Sequence, residues 1–103
     1  MTYLEITEKD DGSSLDLQVG DRIIIELSEN PTTGCFWEIG NINVKDMKVI
    51  ANEFKATNGN SVGAGGLRKM IFEVIKKSKG DLVLESRQKW SREIYKTFKF
   101  AYS

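Results

Sequence analysis

The chain contains no histidine, one cysteine and one proline in 103 residues. The missing histidine removes Ser-His-Asp and Cys-His nucleophilic catalysis, because both need an imidazole to take the nucleophile's proton. It also removes HExxH zinc sites, and one cysteine with carboxylates rarely completes a zinc shell. No catalytic residue, metal site or cofactor is therefore expected. Cys35 has no second cysteine to bridge to. No apolar run approaches the roughly 20 residues of a membrane helix, so no membrane partner is expected. The start, "MTYLEITEKDDG", is acidic and lacks the apolar stretch of a secretory signal. A cytoplasmic protein is expected from the chain as it stands; a secreted or vesicular protein whose signal had been removed would look the same. Net charge is zero, which argues against a nucleic-acid footprint.

The length is that of one compact domain, residues 1–103, and a monomer is expected. Charge is nevertheless uneven. Residues 1–18 carry five acids and one base, and residues 68–103 carry ten bases and four acids. Either the two ends of the chain neutralise each other across a sheet, or the basic part faces an acidic partner.

Alternation with a period of two dominates the rest. "YLEITE" (3–8) places Leu4 and Ile6 on one face, and "SLDLQV" (14–19) places Leu15, Leu17 and Val19 on one face. "RIIIELS" (22–28) turns Ile23, Ile25 and Leu27 inward, and "CFWEI" (35–39) groups Cys35, Trp37 and Ile39. "MKVIANEF" (47–54) allows either face. "KMIFEVI" (69–75), "DLVLES" (81–86) and "EIYKTFKFAY" (93–102) offer Met70, Phe72, Val74, Leu82, Leu84, Phe98, Phe100 and Tyr102. Turn signals such as "KDDGS", "VGD", "NPTTG" and "KSKGD" separate these runs. Seven or eight short strands without a convincing helix predict an all-β fold, an immunoglobulin-like antiparallel β-sandwich. Strands alternate in direction along such a chain. The connections at 29–34, 57–66 and 87–92 should therefore gather at one end.

Those three connections hold the unusual chemistry. In "NPTTG", Pro31 fixes its own φ and restrains Asn30 to extended conformations. Thr32 and Thr33 carry stiff hydroxyl side chains, and Gly34 permits a positive φ at the strand entry. The segment reads as a well-made turn or as a rigid projecting loop whose order before binding lowers the cost of association. "GNSVGAGG" (59–66) misses the phosphate-binding loop pattern because no Lys-Ser/Thr follows. It is either a connector or bare backbone offered to another chain. "SRQKWSRE" (86–93) sets Trp90 among charges, as a boundary residue or as an exposed aromatic anchor beside Arg87 and Arg92.

Taken together, "NPTTG" with Trp37, then Gly63-Ala64-Gly65-Gly66, then Trp90, resemble the chagasin-type inhibitors of papain-like cysteine peptidases. The resemblance spans the chain in motif order. It implies a wedge of three adjacent loops that blocks the peptidase cleft reversibly. Asn30, Pro31, Thr32, Thr33 and Gly34 would form the centre. Gly63, Ala64, Gly65 and Gly66 would form one flank through backbone hydrogen bonds, and Trp90 the other. The family usually has an aromatic where Cys35 stands; Cys35 reads as a small core residue. The family's Arg-Pro-Trp of the third loop is here Gln88-Lys89-Trp90, and Arg87 could take the arginine's task if the loop shifts by one residue. Without that proline the third loop is expected to be less preorganised. The partner implied is a papain-like cysteine peptidase, of a host or endogenous.

Two rivals remain at the level of sequence. One is an immunoglobulin-like module that recognises another protein or a glycan without inhibiting a peptidase. The other is a carboxylate enzyme using acids such as Glu26, Glu38, Glu53, Glu73 and Glu85. These acids sit on strand faces that read as solvated, outside the unusual loops.

Overall fold

A computed structural model describes residues 2–29, 34–56, 65–88 and 90–103. Eight strands follow in order: β1 (Tyr3–Thr7), β2 (Ser14–Leu15), β3 (Arg22–Glu29), β4 (Cys35–Asn41), β5 (Met47–Ala56), β6 (Gly66–Val74), β7 (Gly80–Gln88) and β8 (Lys96–Tyr102). A 3-10 turn, Glu8–Asp10, follows β1, and no other helix occurs among the described residues. One sheet has the order β1-β3-β6-β5 and the other β2-β8-β7-β4.

The expected sandwich is present, with one departure from a purely antiparallel scheme. Pairings β3–β6, β5–β6, β4–β7 and β7–β8 are antiparallel, but β1 joins β3 and β2 joins β8 in parallel. Direction reverses at each connection, so strands an even number of places apart point the same way. β1 and β2 are added to partners that share their parity.

The inward faces follow the two-residue alternation. Ile23, Ile25 and Leu27 of β3 and Met70, Phe72 and Val74 of β6 are buried. From the other sheet come Trp37, Leu82, Leu84, Phe98, Phe100 and Tyr102. Phe100 meets both Phe98 and Tyr102 edge to face, each pair with ring centroids 6.4 Å apart. Each such side chain contributes roughly 1.5–3 kcal/mol when fully buried.

Two expectations about faces need correcting. Val19 does not share the buried face of Leu17; it is 61% exposed. The chain has already left the sheet there, turning through Val19 and Gly20, with the Asp21 N–H bonded to the Gln18 carbonyl. Of the β5 side chains described, only Met47 enters the core, while Val49 and Ile50 are exposed. β5 is an edge strand whose register slips between Val49 and Ala51. The slip is why neither face of its sequence reads as buried.

Parts of the acidic beginning do meet the basic end. Lys77 Nζ lies 2.6 Å from Asp16 Oδ1. Asp11 accepts the backbone N–H of Lys99 at 2.9 Å. At the pole holding the β4–β5 connection, the Tyr102 hydroxyl donates to the buried Asp46 carboxylate at 2.7 Å.

Candidate functional site

The ladders place the ends of six strands at the other pole. Gly66 pairs with both Glu29 and Ala56, which brings the end of β3, the start of β6 and the end of β5 into one row. In the facing sheet Cys35 pairs with Gln88, joining the start of β4 to the end of β7. The connections β3–β4, β5–β6 and β7–β8 therefore leave the sandwich on one side. Of the predicted site residues, Asn30, Pro31, Thr32, Thr33, Gly63 and Ala64 lie outside the described residues.

The described members lie as follows. Gly34 has φ of +78°, the left-handed region that glycine enters without strain. A Cβ built on Gly34 would stand 2.6 Å from Cη2 of Trp90 and 3.3 Å from two further ring carbons. The indole thus lies against the exit of the first loop, and it remains 75% exposed. Gly65 is half-buried, and Gly66 is buried within the β3–β6–β5 ladder as the first residue of its strand. Arg87 lies within β7 rather than in the loop, and its Nε is bonded to Glu38 on β4. The Arg87 guanidinium is thereby held to the sheet face.

Hydrogen bonds span the third loop. The Ser91 N–H donates to the Gln88 carbonyl at 3.0 Å, and the Tyr95 N–H to the Ser86 carbonyl at 2.7 Å. The Glu93 N–H donates to Ser91 Oγ at 3.1 Å.

Two residues of this loop escaped the sequence reading. Ile94 and Tyr95 are 51% and 70% exposed. The alternation of "EIYKTFKFAY" assigned them to the last strand, but β8 begins at Lys96. Their signal was that of Trp90, large apolar side chains among charges. With Cys35, Gln88, Ser91 and Glu93 they line a shallow recess beside the indole. Cys35 is half-buried in its wall and is not a member of the core.

At this pole the core ends in charge. Glu29 follows Ile23, Ile25 and Leu27 on the inward face of β3 and is buried. Its carboxylate accepts two bonds from Arg68, at 2.6 Å from Nη2 and 3.1 Å from Nε. Glu29 Oε2 also accepts the Trp37 backbone N–H at 2.7 Å, and the Trp37 indole N–H donates to the Ser28 carbonyl at 2.8 Å. The sequence held this signal too, since Glu29 and Arg68 fall on inward positions of their alternations. Among the described residues no group of three or more His, Cys, Asp and Glu side chains could hold a metal. Glu38 and Glu73, two of the candidate acids, instead form ion pairs with Arg87 and Arg22 on neighbouring strands.

Residues 16–102 match the family described as the chagasin family peptidase inhibitor I42. The chain belongs to that family. Its function is inhibition and not catalysis, which removes the carboxylate-enzyme reading. The fold agrees with that of the cysteine protease inhibitor EhICP2 from Entamoeba histolytica. The TM-score is 0.88 at 24% identity, over 99% of this chain and 95% of that one. The solution structure of amebosin superposes with a TM-score of 0.83 at 22% identity, over 100% and 98% of the two chains. PbICP-C, solved in complex with falcipain-2, gives 0.63 at 15% identity, over 99% and 96%. No curated protein matches the chain in sequence. At these identities the solved structures speak to the chagasin fold, and membership rests on the family match.

Proposed function

We propose that this chain inhibits papain-like cysteine peptidases by occluding the substrate cleft with three loops. Asn30, Pro31, Thr32, Thr33 and Gly34 fill the cleft. Gly63, Ala64 and Gly65 offer backbone groups to one wall, Gly66 being committed to the β3–β6–β5 ladder, and Trp90 packs on the other. The observation that carries this reading is the exposed Trp90 indole resting on Gly34, which joins the first and third loops at one tip. Arg87 is tied across the sheet to Glu38 and is not counted among the contacting residues.

The mechanism is steric. Pro31 has a fixed φ and no N–H to donate, so the loop occupies the cleft without the backbone hydrogen bonding that holds a substrate in cleavable register. Peptidase–inhibitor contacts of this kind bury about 800 Å² on each partner. Desolvating Trp90 against an apolar wall is worth about 2 kcal/mol or more on truncation, the usual size of an aromatic hot spot. Inhibition of PbICP-C's partner type, represented by falcipain-2, is the activity to look for.

Titration of papain with the purified chain is the test. Reversible inhibition that saturates at one inhibitor per enzyme is expected, with trypsin unaffected. Full papain activity at micromolar inhibitor would remove the proposal. Trp90→Ala should weaken inhibition mainly through faster dissociation, and an unchanged affinity would show that the third loop makes no contact.

A further inference from the structure

Toward the loop-bearing end the inward-facing rows of β3 and β6 each carry an ion. Glu29 is the last residue of β3, with its side chain 1% exposed, and Arg68 is two residues after Gly66, with its side chain 17% exposed. Desolvating two charges is costly, and a well-packed apolar pair of similar volume would hold the sheet together as well. The fork of the guanidinium adds direction, which an apolar pair does not supply.

That direction is spent on the loop feet. Nε and Nη2 of Arg68 grip both oxygens of Glu29, the residue immediately before the first loop. Through Glu29 Oε2 the same cluster holds the backbone of Trp37, three residues after that loop. Arg68 Nη1 donates to Asn52 Oδ1 at 3.2 Å, and the guanidinium lies 5.7 Å from the ring centroid of Phe54. Both of these residues belong to β5, which leads into the second loop, and Arg68 itself follows that loop's return. One side chain therefore touches, directly or through one carboxylate, both feet of the first loop and both feet of the second.

We propose that Arg68 is a positioning residue for inhibition. Its guanidinium, locked on Glu29, fixes the separation of the first and second loops, so the pair enters the cleft already spaced. This rests on the proposed function, since only a multi-loop contact needs that spacing. Preorganised feet lower the ordering cost of binding and lengthen the life of the complex.

The test compares Arg68→Lys and Arg68→Met with two controls in papain binding. Arg22→Met breaks the Arg22–Glu73 pair at the far end of the same two strands. Val74→Ala empties part of the core at that far end. Melting temperature is read for every variant, with association and dissociation rates. Both Arg68 variants should bind about tenfold or more weakly, through faster dissociation with association nearly unchanged. Lysine should not rescue, because it keeps the charge and loses the fork. Both controls should bind like the parent although Val74→Ala melts lower. Parental affinity in a folded Arg68→Met overturns the proposal. So does an equal affinity loss in Val74→Ala at matched melting temperature, which would reduce Arg68 to bulk stability. Should Arg68→Met not fold, Arg68→Lys alone decides in the same terms. A parent chain that leaves papain fully active overturns the proposed function itself, and this proposal with it, before any variant is compared.

Discussion

Gly34 carries two demands that no other residue type meets together. Its φ of +78° strains any residue with a Cβ, and the Trp90 ring already occupies the place of that Cβ. Gly34→Ala should therefore cost about 1–2 kcal/mol of stability and also push the indole from its seat. Weaker papain inhibition should accompany a fall in melting temperature. Inhibition left at the parental level would mean that the position of Trp90 on Gly34 is immaterial. Tyr102 offers a second case at the opposite pole. Burial, then its hydrogen bond to Asp46 and that carboxylate's charge, push its pKa up from 10.0 to about 12. The folded state thus favours the neutral phenol. Its stabilising contribution is complete below pH 10 and is lost as pH rises toward about 12. Stability of the parent should decline through that window more steeply than that of Tyr102→Phe. At neutral pH the variant should be less stable by about 1–3 kcal/mol, because Asp46 is left buried without its donor. Parallel pH profiles in chemical denaturation would refute the assignment.

Among the elements, β5 and β6 are paired along their whole length yet differ in what they bury. β6 sends Met70, Phe72 and Val74 into the core, whereas among the described β5 side chains only Met47 enters it. Phe72→Ala should cost about 3–5 kcal/mol, the range for emptying a buried aromatic site. Val49→Ala on the exposed edge should stay within about 0.5 kcal/mol. Equal losses by urea denaturation would show that the edge carries core packing after all. The same contrast explains what was legible in the sequence. Strands with one wet and one dry face, such as β3 and β6, announce themselves by alternation. β5 does not, because its register slips at Val49 and most of both faces is solvated. Val19 and the pair Ile94–Tyr95 misled for a related reason. Apolar residues at the right spacing were read as strand, although the backbone had turned out of the sheet or not yet entered it. The parallel joining of β1 and β2 was also hidden, because pairing partners are chosen by the whole assembly and not by either strand. The motifs of the family, by contrast, stood plainly in the chain, while the Glu29–Arg68 pair needed the inward positions of two distant strands to be set side by side.

The molecule as a whole is polar in its construction, measuring 42 × 29 × 21 Å with different chemistry at its two ends. One pole holds the Glu29–Arg68 pair and the strand ends from which the unusual connections leave, with Trp90, Ile94 and Tyr95 exposed. The other is tied by Asp46 and Tyr102 and exposes Val44, on the β4–β5 connection, at 73%. Exposed apolar side chains at both ends leave surface hydrophobicity unable to say which end binds. The fold says it, because alternation of strand direction assigns the three motif-bearing connections to one pole. A charge placed at each pole separates the two. Val44→Arg should inhibit papain like the parent, since it alters only a solvated turn far from the proposed contact. Ser91→Arg, in the loop beside Trp90, should weaken inhibition at least about tenfold and well beyond Ser91→Ala, which loses the same Oγ bond to the Glu93 N–H, because a new cation would be desolvated where the peptidase wall must close. Both arginine substitutions add the same net charge, so long-range steering affects them alike, and raising the salt concentration should not remove the difference. An equal loss in both variants, or a loss in Val44→Arg alone, would place the contact elsewhere on the sandwich and leave the three-loop wedge without a role.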